Sequence, residues 1–206
     1  MKKKTVQKDI SSGQKRQGGF LIGKYFLALP VLLFPYSLFL GMVCLYTPAV
    51  METVFFNNGY LLIAAIAAYA FVAFVFSCVL ALLALRKKEA GFSMAWLNMI
   101  VKLCQVPAYC VIFVLGCIFS LTVLGIGFTI FFFLFDCVAI GMTGLIGAVS
   151  VFRAFAEKKL TKKECIVFTL LQFVFVADIV ACILLFVRLC ERRAGEELAA
   201  PSRPEE

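Results

Sequence analysis

Residues 107–151 read PAYCVIFVLGCIFSLTVLGIGFTIFFFLFDCVAIGMTGLIGAVSV and contain one charged side chain, that of Asp136. A membrane-spanning α-helix needs about 20 predominantly apolar residues, so this run is long enough for two spans. Gly125 and Gly127 lie near its middle and favour a tight turn there. The stretch therefore predicts two antiparallel membrane helices, at 107–124 and 127–151.

The composition of the whole chain agrees with a membrane location. Of its 206 residues, 63% are hydrophobic and only 16% are charged, and the mean hydropathy is +1.01. Soluble domains carry roughly a quarter charged residues, distributed along the chain. Here the charges form a few blocks between long uncharged runs. The sequence predicts an all-α fold, a polytopic transmembrane helix bundle.

Three further apolar runs, at 25–46, 60–85 and 165–187, bring the predicted number of spans to about five. Residues 91–106 are too few for a span and include Lys102, so we expect a short interfacial helix that leads into the third span across Pro107. Residues 20–190 are then one transmembrane domain. The basic tail 1–19 and the charged tail 191–206 are predicted to be disordered.

Lysine and arginine are distributed unequally among the connections. The first and third connections have none, whereas Arg153, Lys158 and Lys159 follow the fourth span. Together with a snorkelling Lys102, these cations are expected to contact lipid headgroups and to keep their side of the bundle, and the amino terminus, in the cytoplasm. Five spans would leave the arginine-containing carboxyl tail outside, against the same rule.

Two carboxylates, Asp136 and Asp178, lie inside predicted spans, where a charge is costly unless it is paired, hydrated or neutralised. Counted at 1.5 Å per residue, they lie about 13 Å and 15 Å below the outer ends of their spans. They are therefore predicted to face each other as a proton or cation site, with Gln172 and Thr143 nearby. The alternative, which we prefer, is that each aspartate is protonated, or bonds to Gln172, Thr143, Ser120 or Thr122, and only holds helices together.

Several classes of function are disfavoured by what the chain lacks. It has no histidine and no pair of cysteines spaced as CxxC, and most of its nine cysteines lie in or beside apolar runs. We expect no metal site and no cofactor. The net charge of +8 comes from residues that flank spans, so nucleic acid is not an expected partner. The expected partner is the lipid bilayer, and another membrane protein is a further candidate.

Paired intramembrane aspartates also occur in intramembrane aspartyl proteases. Here the local sequences, Phe135-Asp136 and Ala177-Asp178, differ from the Tyr-Asp and Gly-x-Gly-Asp of that family. We therefore expect no enzymatic activity. The preferred interpretation is a non-catalytic accessory or partner-binding membrane protein. The alternative is a small proton- or cation-linked transporter or channel that uses Asp136 and Asp178.

Two segments carry a resemblance, NMIVKLCQVPAY at 98–109 and LLQFVFVAD at 170–178, with Asp136 between them. In these segments the chain resembles a family of uncharacterised small polytopic membrane proteins of Gram-positive bacteria. The resemblance covers roughly residues 97–178. The family has no assigned activity, so the resemblance implies a bacterial plasma membrane location and no particular chemistry.

Overall fold

A computed structural model describes residues 2–87, 89–122 and 125–199, with side chains from 23 to 195. These residues are almost entirely helical and include no strand. The helices are α1 (Lys2–Tyr46), α2 (Pro48–Thr53), α3 (Gly59–Arg86), α4 (Gly91–Ser120), α5 (Ile126–Ala156), α6 (Lys162–Leu171) and α7 (Ala177–Ala199). The predicted all-α fold is confirmed.

Four helical segments are long and apolar enough to cross a membrane, namely Gly23–Leu45, Gly59–Arg86, Gly91–Ser120 and Ile126–Ala156. Large apolar side chains on their outer surfaces are well exposed, for example Phe26 at 67%, Phe71 at 69% and Phe133 at 66%. Such a surface is costly in water and is favourable in lipid. The protein is an integral, multi-pass membrane protein.

Helix α5 lies at the centre of the bundle and packs against α1, α3, α4 and the α6–α7 segment. Its Phe135 ring stacks on Phe34 of α1, with 4.4 Å between the ring centroids. Ser77 of α3 donates a 2.8 Å hydrogen bond to the Met142 carbonyl of α5. Contacts of this kind, together with close packing, associate membrane helices where lipid supplies no hydrophobic driving force.

Prolines inside the spans do not end them, because neighbouring side chains bond to nearby carbonyls. Pro35 has no N–H for the carbonyl of Val31, and the buried Gln105 of α4 donates a 2.7 Å hydrogen bond to that oxygen. Tyr36 of α1 donates to the Cys104 carbonyl, in the turn that precedes Pro107. This mutual satisfaction of backbone groups is what permits proline in a membrane helix.

One consequence is that α4 runs without interruption from Gly91 to Ser120 through Pro107. The expected division into an interfacial helix at 91–106 and a span at 107–124 is wrong. Residues 91–106 form the first half of the third span, so Lys102 lies in the middle of a membrane helix.

The predicted fifth span, 165–187, is also corrected by the structure. Helix α6 ends at Leu171, residues 172–176 are not helical, and Val176 has a φ of +67°. Glu164, near the start of α6, forms an ion pair with Arg188 of α7, so the two helices run antiparallel. The ten residues of α6 extend about 15 Å, which is half of a hydrocarbon core. The α6–α7 segment is therefore a hairpin that enters the bundle and returns.

The hairpin enters and leaves at the end of the bundle that holds Lys24, Glu89 and Glu157, which we call the basic end. There the Lys24 ammonium lies 3.8 Å from the Glu89 carboxylate, and the Gly91 N–H donates a 2.7 Å bond to Glu157. Phe186 of α7 packs on Phe92, at the start of α4, with ring centroids 5.2 Å apart. Helix α7 thus leaves the bundle at the same end as Lys24. The prediction of five spans had placed the carboxyl tail at the opposite end.

The two tails also differ from expectation within the described residues. Helix α1 begins at Lys2, so residues 2–19 of the tail 1–19 that we expected to be disordered are helical and precede the first span in the same helix. Helix α7 extends to Ala199 and therefore includes much of the predicted tail 191–206. Residues 200–206 lie outside the described part of the chain.

Candidate functional site

A buried ion pair lies in the middle of the bundle. The ammonium of Lys102 on α4 is 3.0 Å from the Asp178 carboxylate in the first turn of α7, and the two side chains are only 1% and 5% exposed. Lys102 is about 17 Å along α4 from Gly91, close to half of the roughly 30 Å hydrocarbon thickness. A charge at this depth is tolerated when it has a partner of opposite sign.

The structure places Lys102 far from its expected position at the headgroups. The sequence-based prediction took Leu124 as the outer end of the third span and put Lys102 about 20 Å or more from both aspartates. Because α4 is continuous, Lys102 lies in the middle of the bundle. The hairpin enters from the basic end and places Asp178 at the same depth, so the two side chains are in direct contact. Asp178 is held by the cation of α4 and not by Asp136.

Gln172, at the tip of the hairpin, joins the ion pair to a second polar side chain. Its Oε1 atom accepts a 2.7 Å hydrogen bond from Lys102 and a 3.2 Å hydrogen bond from the Asn98 amide. Lysine can only donate, which fixes the orientation of both amides. Asn98 Oδ1 and Gln172 Nε2 remain buried without a hydrogen-bond partner among the described residues. The site therefore retains one unused acceptor and one unused donor.

Two glycines of α5 form the groove in which the hairpin tip lies. A Cβ atom built on Gly147 would be 2.2 Å from Gln172 Oε1, and one on Gly144 would be 2.8 Å from the Phe173 ring. Only a residue without a side chain admits so close an approach. Thr143, predicted as a partner for an aspartate, instead donates to the Ala139 carbonyl of its own helix at 3.2 Å.

Asp136 lies on α5, outside the ion pair. One of its carboxylate oxygens, Oδ1, is buried and has no hydrogen-bond partner in the described part of the chain. No hydrogen bond or ion pair joins it to Asp178 within the same residues. The two predicted carboxyls are thus in different surroundings, one paired with a cation and one left with an unsatisfied oxygen.

Asp136 and Asp178 border two neighbouring cavities between α4, α5 and the hairpin tip. The inner cavity, about 250 Å³, is bordered by Tyr109 and Asp178. The outer cleft, about 730 Å³, extends from Asp136 to Ser120 and Thr129, at the end of the bundle opposite the basic end. The two cavities share wall residues, which are Phe113, Ile140 and Phe175.

The outer cleft exists because the hairpin reaches only half of the bundle's depth. The α4–α5 surface is covered by α6 and α7 in the half nearer the basic end and is left open in the other half. The two neighbouring cavities therefore lie between the opposite end of the bundle and the ion pair.

The remaining cations predicted for headgroup contact lie at the basic end. Arg153 donates a 2.7 Å hydrogen bond to the Glu89 carbonyl, and Lys159 lies 3.4 Å from the Glu157 carboxylate. Lys158 is exposed there. Arg153 and Lys159 thus brace the connections between helices, while Lys158 faces outward. Among the described residues no group of three or more histidine, cysteine or carboxylate side chains is arranged to hold a metal ion.

Sequence reasoning missed Asn98 and Lys102 as members of the site, and it missed Gln105 on the same helix face, which bonds to the Val31 carbonyl of α1. Their spacings of four and three place them on one face of a helix. A polar face within an otherwise apolar run was the available signal, and the expected helix boundary at Pro107 concealed it.

Comparison of the chain with known protein families, with curated proteins and with solved structures found no match.

Proposed function

We propose that this protein is a small proton- or cation-linked transporter in which the Lys102–Asp178 ion pair is the element that responds to the transported ion. The observation that carries the proposal is that the pair lies at mid-membrane, at the tip of a broken helical hairpin. Intramembrane ion pairs are costly to bury, and a charge-free packing of similar volume is often at least as stable. Their presence favours a functional role.

The broken hairpin supports the same interpretation. In many transporters the substrate and coupling-ion sites lie near the bilayer midplane, where helices are discontinuous and backbone or side-chain groups are left available. Here Asp178 lies in the first turn of α7, where the helix dipole stabilises its negative charge. The unused groups of Asn98 and Gln172 lie beside it.

The contacts indicate how ion binding would be coupled to movement. With Asp178 charged, Lys102 is held between Asp178 and Gln172 and fixes the hairpin tip against α4. When Asp178 takes up a proton, or a cation replaces Lys102, the attraction between the two helices is lost and the hairpin tip is released. In this scheme the ion reaches the pair from the opposite end, by way of the outer cleft and the inner cavity, and the hairpin packs against the bundle on the side of the basic end.

The direct test is ion flux in proteoliposomes that hold a pH-sensitive dye and an imposed pH gradient. Wild-type protein is expected to dissipate the gradient. Lys102→Met or Asp178→Asn alone leaves a buried charge unpaired, at a cost of about 3–5 kcal/mol, so folding is checked by gel filtration and thermal unfolding. The double variant removes both charges and is expected to fold but not to conduct. Glu52→Gln, at an exposed carboxyl that borders neither cavity, is the control.

Flux through a folded double variant equal to that of wild type would contradict the proposal. The sequence-based alternative, a non-catalytic accessory protein, predicts that neither the wild-type protein nor the variant dissipates the gradient and that a second membrane protein copurifies in mild detergent. Peptide cleavage that is lost in Asp136→Asn and in Asp178→Asn would instead support the protease alternative. The pairing of Asp178 with Lys102 speaks against that alternative, since the carboxyls of an aspartyl protease act together on one water molecule.

We further propose a bacterial plasma membrane location with the basic end in the cytoplasm. The proposal rests on the cations of the α5–α6 connection and on Arg188, Arg192 and Arg193 of α7, which all lie toward the basic end. Lysine and arginine near the ends of spans favour the cytoplasmic side.

A further inference from the structure

We propose that the outer cleft is a binding site for a lipophilic monovalent organic cation, with Asp136 as its counter-ion. The cleft borders α4, α5 and the hairpin tip, and it lies beyond the ion pair. Binding of this cation does not depend on the function proposed above. That the bound cation is also transported rests on the function proposed above.

The size and walls of the cleft suit an organic molecule. Its volume of about 730 Å³ lies in the range of pockets that hold drug-sized ligands, which are mainly apolar with a few polar groups. Five phenylalanine rings border it, those of Phe113, Phe132, Phe133, Phe173 and Phe175. Aromatic faces attract cations, and organic ammonium groups are bound in this way.

The charge of the cleft selects a cation. Asp136 is the only charged side chain among the described residues that border it, and its Oδ1 atom has no hydrogen-bond partner in that part of the chain. Lys102 does not neutralise it, because Lys102 is paired with Asp178. The Asp136 carboxylate therefore has no cationic partner among the described residues, and a single positive charge in the cleft would balance it in its ionised form.

An inorganic cation fits the cleft poorly. Such ions are held by several oxygen atoms at once, as Ca²⁺ and Mg²⁺ are by about six or more. Among the described residues that border the cleft, the side-chain oxygens are those of one carboxylate, Asp136, and two hydroxyl groups, Ser120 and Thr129, which are too few for such a shell. A cation that brings its own apolar surface needs one carboxylate and the phenylalanine rings.

Equilibrium binding of radiolabelled tetraphenylphosphonium to the full chain in detergent tests the proposal. We expect saturable binding that Asp136→Asn weakens at least about tenfold, the effect of removing one well-placed charge. Glu52→Gln is the matched control and should bind as wild type does. Asp136→Asn is expected to fold, because Oδ1 of Asp136 bonds to nothing that the substitution would disrupt.

A second variant tests the location independently of charge. Gly141 borders the cleft, and a Cβ atom added to it would meet nothing within 4 Å, so Gly141→Leu fills the cleft without displacing a helix. It should abolish binding while leaving the thermal unfolding unchanged. Gly127→Leu, which likewise meets nothing within 4 Å and lies outside the cleft, is the control and should bind normally.

Three results would overturn the proposal. Unchanged affinity in Asp136→Asn or in Gly141→Leu would place the cation elsewhere. Equal affinity for the uncharged triphenylphosphine oxide would show that charge plays no part. A copurified phospholipid that tetraphenylphosphonium does not displace would identify the cleft as a lipid site. Binding that depends on Asp136, in a protein without proton or cation flux, would support this site and contradict only the transport function.

Discussion

Replacing Gly147 by alanine should destabilise the α6–α7 hairpin far more than one added methyl group does elsewhere in α5. The new Cβ would lie 2.2 Å from Oε1 and 2.5 Å from Cδ of Gln172, well inside van der Waals contact. Gln172 has to move, and it then loses the hydrogen bonds from Lys102 and Asn98. A hydrogen bond to a charged group contributes about 1.5–3 kcal/mol and one between neutral groups about 1 kcal/mol. The expected loss of unfolding free energy is therefore about 2–4 kcal/mol.

The measurement is reversible unfolding in mixed detergent micelles, followed by circular dichroism. Gly141→Ala is the matched control, because its Cβ meets nothing within 4 Å and alanine is favoured over glycine in a helix by about 1 kcal/mol. It should leave the protein as stable as wild type or more stable. In a Gln172→Ala background the group that clashes is absent, so Gly147→Ala should lose most of its effect. Equal stability of the Gly147→Ala and Gly141→Ala proteins would refute the proposed packing of the hairpin tip.

Three further predictions follow from the same structure. Reporter fusions to the amino and carboxyl termini should both report the cytoplasm; an external carboxyl terminus would contradict the hairpin. Asp136→Asn should raise the unfolding free energy by about 1 kcal/mol, since it removes a charge with an unsatisfied oxygen, and a measured loss of stability would show that Asp136 has a structural partner. The backbone hydrogen bond from Thr161, its side-chain hydrogen bond and then the nearby Arg188 lower the pKa of Glu164 below its usual 4.5. The hairpin is therefore stabilised above that pH and loses this contribution as the pH falls through the lowered value. Thermal unfolding of Glu164→Gln should lack this acid dependence.

The apolar runs of the sequence sufficed to predict an all-helical membrane bundle, because length and transfer to lipid decide whether a run forms a span. The apolar runs did not locate the helix boundaries within the bundle. Pro107 was taken as the start of a span, but the Tyr36 hydroxyl bonds to a carbonyl in the preceding turn and the helix continues. Whether a membrane helix tolerates proline depends on its neighbours in the fold.

The break between α6 and α7 also could not be predicted from the sequence. Residues 172–176 read QFVFV, with no glycine or proline, and the run 165–187 is apolar enough for a span. The helix ends there because Gln172 bonds to Lys102 and Asn98 of another helix and lies in a groove made by Gly147. These are tertiary interactions. The pairing of Lys102 with Asp178 depends on them, which is why the depths counted from the sequence pointed to the wrong partner for Asp178.

The position of Lys102 also bears on how the protein is made. The four spans are synthesised before Asp178 emerges from the ribosome, so during biogenesis Lys102 enters the bilayer with no anion to neutralise it. The buried charge of Lys102 therefore destabilises the inserted α4 until α7 packs against it and supplies Asp178. Chains truncated before α6 should be inserted poorly into the membrane and degraded quickly. The unpaired ammonium of Lys102 would then distinguish incomplete chains from complete ones.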